Sequence, residues 1–332
     1  MGHVMKRSRR KFLRLTAGAA ALPALPHVAL ALDYPTRPVH WILSAAPGGA
    51  ADILARLMGA WLSERLGAQF IVESHPGAGG NIGTETVAQA APDGYTLHLT
   101  ATSDAINATL YENLNFNLDR DLAPVAGLIR GPLVMAVTPS FPAKTVPEFI
   151  AYAKANPGVI NFGSGGVGFA THVAGELFKM LAGVNMVHVP YRGQGPAMTG
   201  LLGSQVQVLF DPVVTSLPHI RGGRLRALAV STAMRSDVLP DVPPMGDFVP
   251  GYEASVWFGT HAPRNTPAVI VEKLNQETNA GLADPALRTR LIDMGGIPML
   301  MNPADFGKFV ADEIDKWAKV IKFANIKLGD AN

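Results

Sequence analysis

The sequence predicts an α/β protein of two open α/β lobes, the second inserted into the first, joined by a hinge of two crossing segments. Three observations predict it. Short apolar runs alternate with amphipathic stretches from residue 40 to residue 110, at the spacing of right-handed βαβ units. A long apolar run over 125–138, interrupted at Gly131-Pro132, ends that set, and a second complete alternation begins behind it. An apolar, β-rich run over 252–262 then carries the chain back into three closing helices. The expected boundaries are 32–132 with 254–332 for the first lobe and 133–253 for the second. Two crossings make two hinges, near Leu133 and Ser255, an arrangement suited to closing two lobes on a ligand.

The first unit sets the pattern. Residues 40–45 read as a short buried strand, and Pro47-Gly48-Gly49 breaks it with turn formers. Ile53, Leu54, Leu57, Met58, Trp61, Leu62 and Leu66 recur at helical spacing, Asp52 stands in the first turn, and Gly67 supplies the stop. A strand over 69–74 leads to a second glycine-rich turn, Pro76 to Gly83, and a short helix over 84–91. After Pro92-Asp93-Gly94 comes a third strand, 95–101, with Thr102-Ser103-Asp104 at its carboxyl end, where open α/β sheets place their crevice. Such units imply a parallel sheet.

In the middle block a helix over 146–156 ends at Pro157-Gly158. A strand over 159–162 then meets Gly163-Ser164-Gly165-Gly166-Val167-Gly168 and a helix over 169–181. Strand 186–191, helix 195–204, strand 206–210 closed by Asp211-Pro212, and strand 225–231 complete the block. Prolines between Asp237 and Pro250 mark an irregular return. Helices over 267–283, 285–294 and 303–324 are expected to pack on the first lobe, the last through Phe306, Phe309, Val310, Ile314, Trp317, Val320 and Ile321.

Composition narrows the function. Lys6, Arg7, Arg9, Arg10, Lys11 and Arg14 precede Ala31 with no acid among them, and the rest of the chain carries 22 basic against 26 acidic residues, net −4. A nucleic-acid or anionic-membrane surface therefore loses its support. The absence of cysteine excludes disulfides, thiolate zinc sites and a cysteine nucleophile. Ser8-Arg9-Arg10-Lys11-Phe12-Leu13-Arg14, an apolar run over 15–31 and Ala29-Leu30-Ala31 together read as a twin-arginine-type signal peptide over 1–31 with its cleavage site. The mature protein is expected in the periplasm, exported by a route that carries folded chains.

Catalytic motifs are incomplete. Gly163-x-Gly165-x-x-Gly168 matches the dinucleotide fingerprint, but no acid follows at ribose distance and no P-loop lysine follows the glycines. Position 162 is Phe162 where a nucleophile elbow around Ser164 needs a glycine, which counts against a hydrolase; a secreted serine hydrolase using Ser164 and His172 is kept as the rival reading. His172 and Glu176 fall at i, i+4 and are expected to form a hydrogen-bonding pair; without a third ligand they define no metal site. No metal or cofactor is expected. What recurs is a glycine turn at a helix N-terminus, at Pro47 to Asp52 and at Gly163 to His172, with donors at Asn81, Thr102 and Ser103 nearby. Free backbone N–H groups and the positive end of the helix dipole favour an anion there. Two facing cradles suit a ligand bearing carboxylates.

These residues resemble the periplasmic receptors of tripartite tricarboxylate transporters, the Bug-type receptors. The likeness runs from about Tyr34 to the C-terminus through ordered blocks: Ala46-Pro47-Gly48-Gly49-Ala50-Ala51-Asp52, Pro76-Gly77-Ala78-Gly79-Gly80-Asn81-Ile82-Gly83, Pro92-Asp93-Gly94-Tyr95, Asn161-Phe162-Gly163-Ser164-Gly165-Gly166, His172 with Gly175-Glu176, Val189-Pro190-Tyr191-Arg192-Gly193, and Phe210-Asp211. The resemblance implies a two-lobed periplasmic-binding-protein fold of the Venus-flytrap kind. It implies a monomeric receptor without catalysis, handing an organic carboxylate to separate membrane permease subunits. The ligand-binding set is then Pro47, Gly48, Gly49, Ala50, Ala51, Asp52, Asn81, Thr102, Ser103, Ser164, Gly165, Gly166, Gly168, His172, Arg192 and Asp211. A ligand-presenting accessory of a sensor fits the same features. Asp211 would repel an anion unless it faces an ammonium, a hydroxyl or water, or bonds the following backbone. Ser44 and Ala45 replace a proline and an aromatic, Ala51 a hydroxyl residue, and Arg192 a lysine. The small residues enlarge the pocket, and a carboxylate bulkier than a four-carbon diacid, aromatic ones included, is expected.

Overall fold

The computed structural model describes residues 1–2, 33–45, 47, 50–191 and 193–328. Residues 3–31 of the expected signal peptide, Gly48, Gly49 and Arg192 lie outside the described residues. In order, the chain forms β1 (Val39–Leu43), α1 (Ala50–Leu66), β2 (Phe70–Ser74), a 3₁₀ turn (Ala78–Gly80), α2 (Asn81–Ala88), β3 (Thr96–Ala101), α3 (Thr102–Leu110), α4 (Leu118–Asp121) and β4 (Leu122–Val137). The second set is α5 (Val146–Ala155), β5 (Asn161–Ser164), α6 (Ala170–Ala182), β6 (Val187–Pro190), α7 (Gln194–Leu202), β7 (Val208–Pro212), α8 (Val213–Arg221) and β8 (Arg226–Val230). A 3₁₀ turn (Met245–Asp247), β9 (Ser255–Pro263), α9 (Ala268–Ala283), α10 (Pro285–Asp293), β10 (Ile297–Pro298) and α11 (Pro303–Ala324) complete it.

Local chemistry sets the helix ends. Asp284 caps α10 by accepting from Ala286 and Leu287 N–H at 3.0 and 2.9 Å, and Asn302 caps α11 through Asp305 N–H at 2.8 Å, each followed by a proline whose missing N–H costs nothing there. Gly183 ends α6 in the left-handed region. Helix α8 escapes sequence reading because Pro218 sits inside it and its polar residues match no amphipathic period.

The strands run in the order β2-β1-β3-β9-β4-β7-β5-β6, with β8 and β10 also on β4. Pairs β1–β2, β1–β3, β5–β6 and β5–β7 are parallel, as βαβ units require. The expectation of a parallel sheet needs correction, because β4 and β9 run antiparallel to each other and to their flanking strands. The apolar run interrupted at Gly131-Pro132 is one strand of 16 residues: it pairs with β9 as far as Pro132 opposite Ser255, and with β7 from Leu133 opposite Pro212 onward. Proline brings no N–H to that level. Ser231 supplies the bonding instead, accepting from Leu133 N–H at 2.8 Å through its hydroxyl, donating its own N–H to Leu133 O at 2.8 Å, and donating its hydroxyl to Ala254 O.

Strand β5 begins two residues later than predicted, since Val159 is exposed and Ser164 is the strand's last residue. Ile53, placed on the apolar face of α1, is half exposed. One core joins Ile106 of α3 and Phe162, Phe178 and Phe210 of the middle block to Trp257, Phe306 and Trp317. Helix α11 therefore packs on α3 and β4 and also on α6, not on the first lobe alone.

Within this core Glu313 is buried, and its Oε2 accepts from the indole N–H groups of Trp257 and Trp317, both at 2.9 Å, while Lys316 pairs with its other oxygen. Replacing it by leucine leaves two buried indole donors without an acceptor and takes from Lys316 one of its two carboxylate partners, the other being Glu253 at 3.3 Å. Glu313→Leu is expected to cost about 3 kcal/mol of stability, and Glu313→Gln less, in chemical denaturation followed by tryptophan fluorescence.

Candidate functional site

The connections that follow the parallel strands β1, β2 and β5 carry the expected site residues. After β1, Pro47 and Ala50 are exposed, Ala51 packs against the core, and Asp52 is buried with Oδ1 2.9 Å from Arg56. After β2, Gly80 adopts the left-handed region as the residue preceding α2, and no side chain caps that helix. A Cβ on Gly83 would stand 2.7 Å from Ser44 Oγ, so glycine there lets α2 close onto β1.

Asn81 opens α2 and is buried. Asn107 of α3 donates one amide hydrogen bond to Asn81 Oδ1 at 3.0 Å and another to Gly79 O at 2.9 Å, which fixes the Asn81 amide with its nitrogen turned away. Asn81 Nδ2 has no partner among the described residues. Two buried N–H donors thus stand at an uncapped helix N-terminus, where a carboxylate oxygen would satisfy them.

Thr102 is committed elsewhere: Trp257 N–H donates to its hydroxyl at 2.8 Å, tying α3 to β9, while Ser103 is half-buried. Asp104 lies deep among Thr84, whose hydroxyl donates at 2.6 Å, His98 at 3.1 Å and the Ala101 N–H at 2.7 Å. Burial pushes its carboxyl up, but the neighbouring His98 and the hydrogen bonds together hold it below the usual carboxylate range. Burial above all depresses His261, on the facing strand, to about 3.

The third turn is held from within. Gly165 N–H donates to Thr171 Oγ1 at 3.2 Å, Gly166 N–H to Ser164 Oγ at 3.1 Å, and Gly168 N–H to His172 Nδ1 at 3.1 Å. Backbone donors expected to be free are engaged by side-chain acceptors that a bound anion would have to replace. Ser164 is fully buried and contacts His188 Nε2 at 2.7 Å. The Ser164/His172 pairing of a hydrolase is therefore corrected: His188, which sequence reasoning missed, is the serine's partner. His172 stacks on His188 at 3.6 Å and lies 3.8 Å from Glu176, which pairs with Lys179 at 2.8 Å, so the expected His172–Glu176 hydrogen bond is not formed.

Asp211 is fully buried at the end of β7 and accepts from Gln194 Nε2, from Thr215 Oγ1 at 2.5 Å and from Ser216 Oγ at 2.7 Å. Burial raises its carboxyl against those donors. Its partners are side chains rather than the following backbone.

The second and third turns meet across α3. Gly168 packs on Leu110, one turn beyond Asn107, and Tyr111 covers Gly79. Among the described residues no group of three His, Asp or Glu side chains could hold a metal ion, and no helix is long and apolar enough to cross a membrane.

Two open sheets meeting on a shared strand, with turns gathered at strand ends, make a solute-binding protein of the two-lobed periplasmic kind. The family description "Tripartite tricarboxylate transporter family receptor" matches residues 54–326, and the chain belongs to that family, with Bug-named relatives. Protein BugT of Bordetella pertussis is 36% identical over 298 residues, 89% of this chain and 91% of BugT. R. palustris Rpa4515, solved with adipate, superposes with a TM-score of 0.78 at 35% identity, over 89% of this chain and 99% of its own. MatC from Rhodopseudomonas palustris, solved with bound malate, gives 0.74 at 33% identity, over 87% of this chain and 100% of its own.

The stacked histidines carry a pH dependence. Burial, then the charges of His188 and Lys179, depresses His172 to about 2, and burial, then Lys179, depresses His188 to about 4. Both bind protons more readily unfolded, so the stability they carry is intact above about pH 6.5 and is lost as pH falls toward the folded values. At about pH 4 the His172 contribution is down by about 3 kcal/mol. Denaturation near neutral pH and near pH 4 should show His172→Gln losing less stability on acidification than the parent.

Proposed function

We propose that the protein captures an organic carboxylate between two lobes in the periplasm and delivers it to the membrane permease of a tripartite tricarboxylate transporter. Asn81 carries the reading: its amide nitrogen is buried, turned from Asn107 and without a described partner, at the uncapped start of α2. The family and the carboxylates named with two relatives, adipate and malate, support it. In this reading the lobes are 32–132 with 254–332 and 133–253, and closure turns about Leu133 and Ser255. The ligand-binding set is the one read from the sequence, with Thr102, Asp211 and His172 shaping the turns. A leader of the twin-arginine type exports a folded, monomeric receptor. Adipate is longer than a four-carbon diacid, as the small Ala45 and Ala51 favour.

A thermal-shift screen of aliphatic, hydroxylated and aromatic carboxylates tests the ligand class, since a ligand at about 100 times its Kd adds about 2.7 kcal/mol. Acids beyond succinate size are expected to stabilise most, and a neutral sugar doing so instead would overturn carboxylate capture. Asn81→Leu should weaken the best acid by about tenfold, the loss of one charge-assisted hydrogen bond. Small-angle scattering should show a smaller radius of gyration at saturation, because only a ligand touching both lobes shifts the population toward closure.

A further inference from the structure

A groove of about 230 Å³ lies at the crossing, apart from every residue of the proposed carboxylate site. Pro132, the last β4 residue paired with β9, lines it. Met234 and Arg235 line it from the segment after Ser231, and Arg288, Ile292 and Ile297 from α10 and β10. At about 30 Å³ per water it holds about seven or eight waters' worth of space, enough for a short acyl chain or one aromatic ring but not for a helix or strand of another protein.

The lining combines two chemistries. Pro132, Met234, Ile292 and Ile297 offer hydrocarbon contact, and Met234 is 64% exposed, an apolar side chain left at the rim. Arg235, in the segment after Ser231, and Arg288, on α10, both line the groove, and Arg235 is steadied by Nη1 donating to Pro240 O at 2.9 Å. Guanidinium forks match a carboxylate. Asp237 lines the same groove and opposes a second negative charge.

We propose that this groove is a second ligand site, taking a small monocarboxylate with an apolar body whose head lies between Arg235 and Arg288. The site does not depend on carboxylate capture between the lobes. An occupant would touch both flanks of the β4 crossing.

Methyl NMR of the full chain, titrated with hexanoate and with 1-hexanol and hexylamine as neutral and cationic matches, tests the proposal. The methyls of Met234, Ile292 and Ile297 report this groove, while Ile53 and Ile82, half exposed in the first turns of α1 and α2, report the glycine turns. Hexanoate should shift the first set saturably and bind better than either match. Arg235→Gln and Arg288→Gln should each raise its Kd by about tenfold. Three results would overturn it: no saturable shift at those methyls, equal binding of hexanol, or shifts confined to Ile53 and Ile82. Failure of carboxylates at the glycine turns alone would leave this site standing, because the two methyl sets are read separately.

Discussion

Leu133 and Ser231 exchange hydrogen bonds at the one level of β4 where its partner changes from β9 to β7 and β8. Pro132 contributes no donor there, and a ladder running straight through would fix the two sheets as one rigid surface. A serine hydroxyl bridging Leu133 N–H and Ala254 O binds both crossing segments to a single residue instead. The ion pairs of Glu253 with Arg130 at 3.6 Å and Lys316 at 3.3 Å lie beside the same level.

The glycine turns rest on buried polar side chains rather than on the turns' own backbone. Asp104 holds the start of α3, Asp211 holds Gln194 and through it Thr171, and the histidine pair holds Ser164 and Gly168. Each network is costly to bury and is stabilised by donors that fill most of its acceptors. Asp211 is enclosed by hydroxyl and amide donors while burial pushes its carboxyl toward the neutral form. Among the described residues Asn81 Nδ2 and, beside Asp104, His98 Nδ1 stay without a partner.

Periodicity carried most of the architecture. Helix α11 is legible because Phe306, Val310, Trp317 and Ile321 fall on one face, and the glycine turns because glycine and proline punctuate short apolar runs. Strand direction at β4 and β9 is not legible, since antiparallel pairing there follows from where two connections cross, which no local pattern encodes. The site divides the same way. Asn81 stands out beside its glycines, but its orientation depends on Asn107, 26 residues away. His188 reaches Ser164 through the β5–β6 register, which sets Phe162 opposite His188 and Ser164 opposite Pro190. A lone histidine in a strand gives no sign of that.

Helix α11 lies last in the chain, yet it packs on α3, β4 and α6 together, and its Trp317 shares one core with Phe162 and Phe178. Neither half of such a molecule can be lifted out whole. Excising 133–253 would cut β4 in two, leaving β7 and β8 on Leu133–Val137 alone, and would uncover the side of the core that α11 packs on. Truncating the C-terminus would open the middle block although its own sequence was untouched. During synthesis the core can close only after the final helix has been made, so the earlier turns must wait, part-built, for residues added at the end.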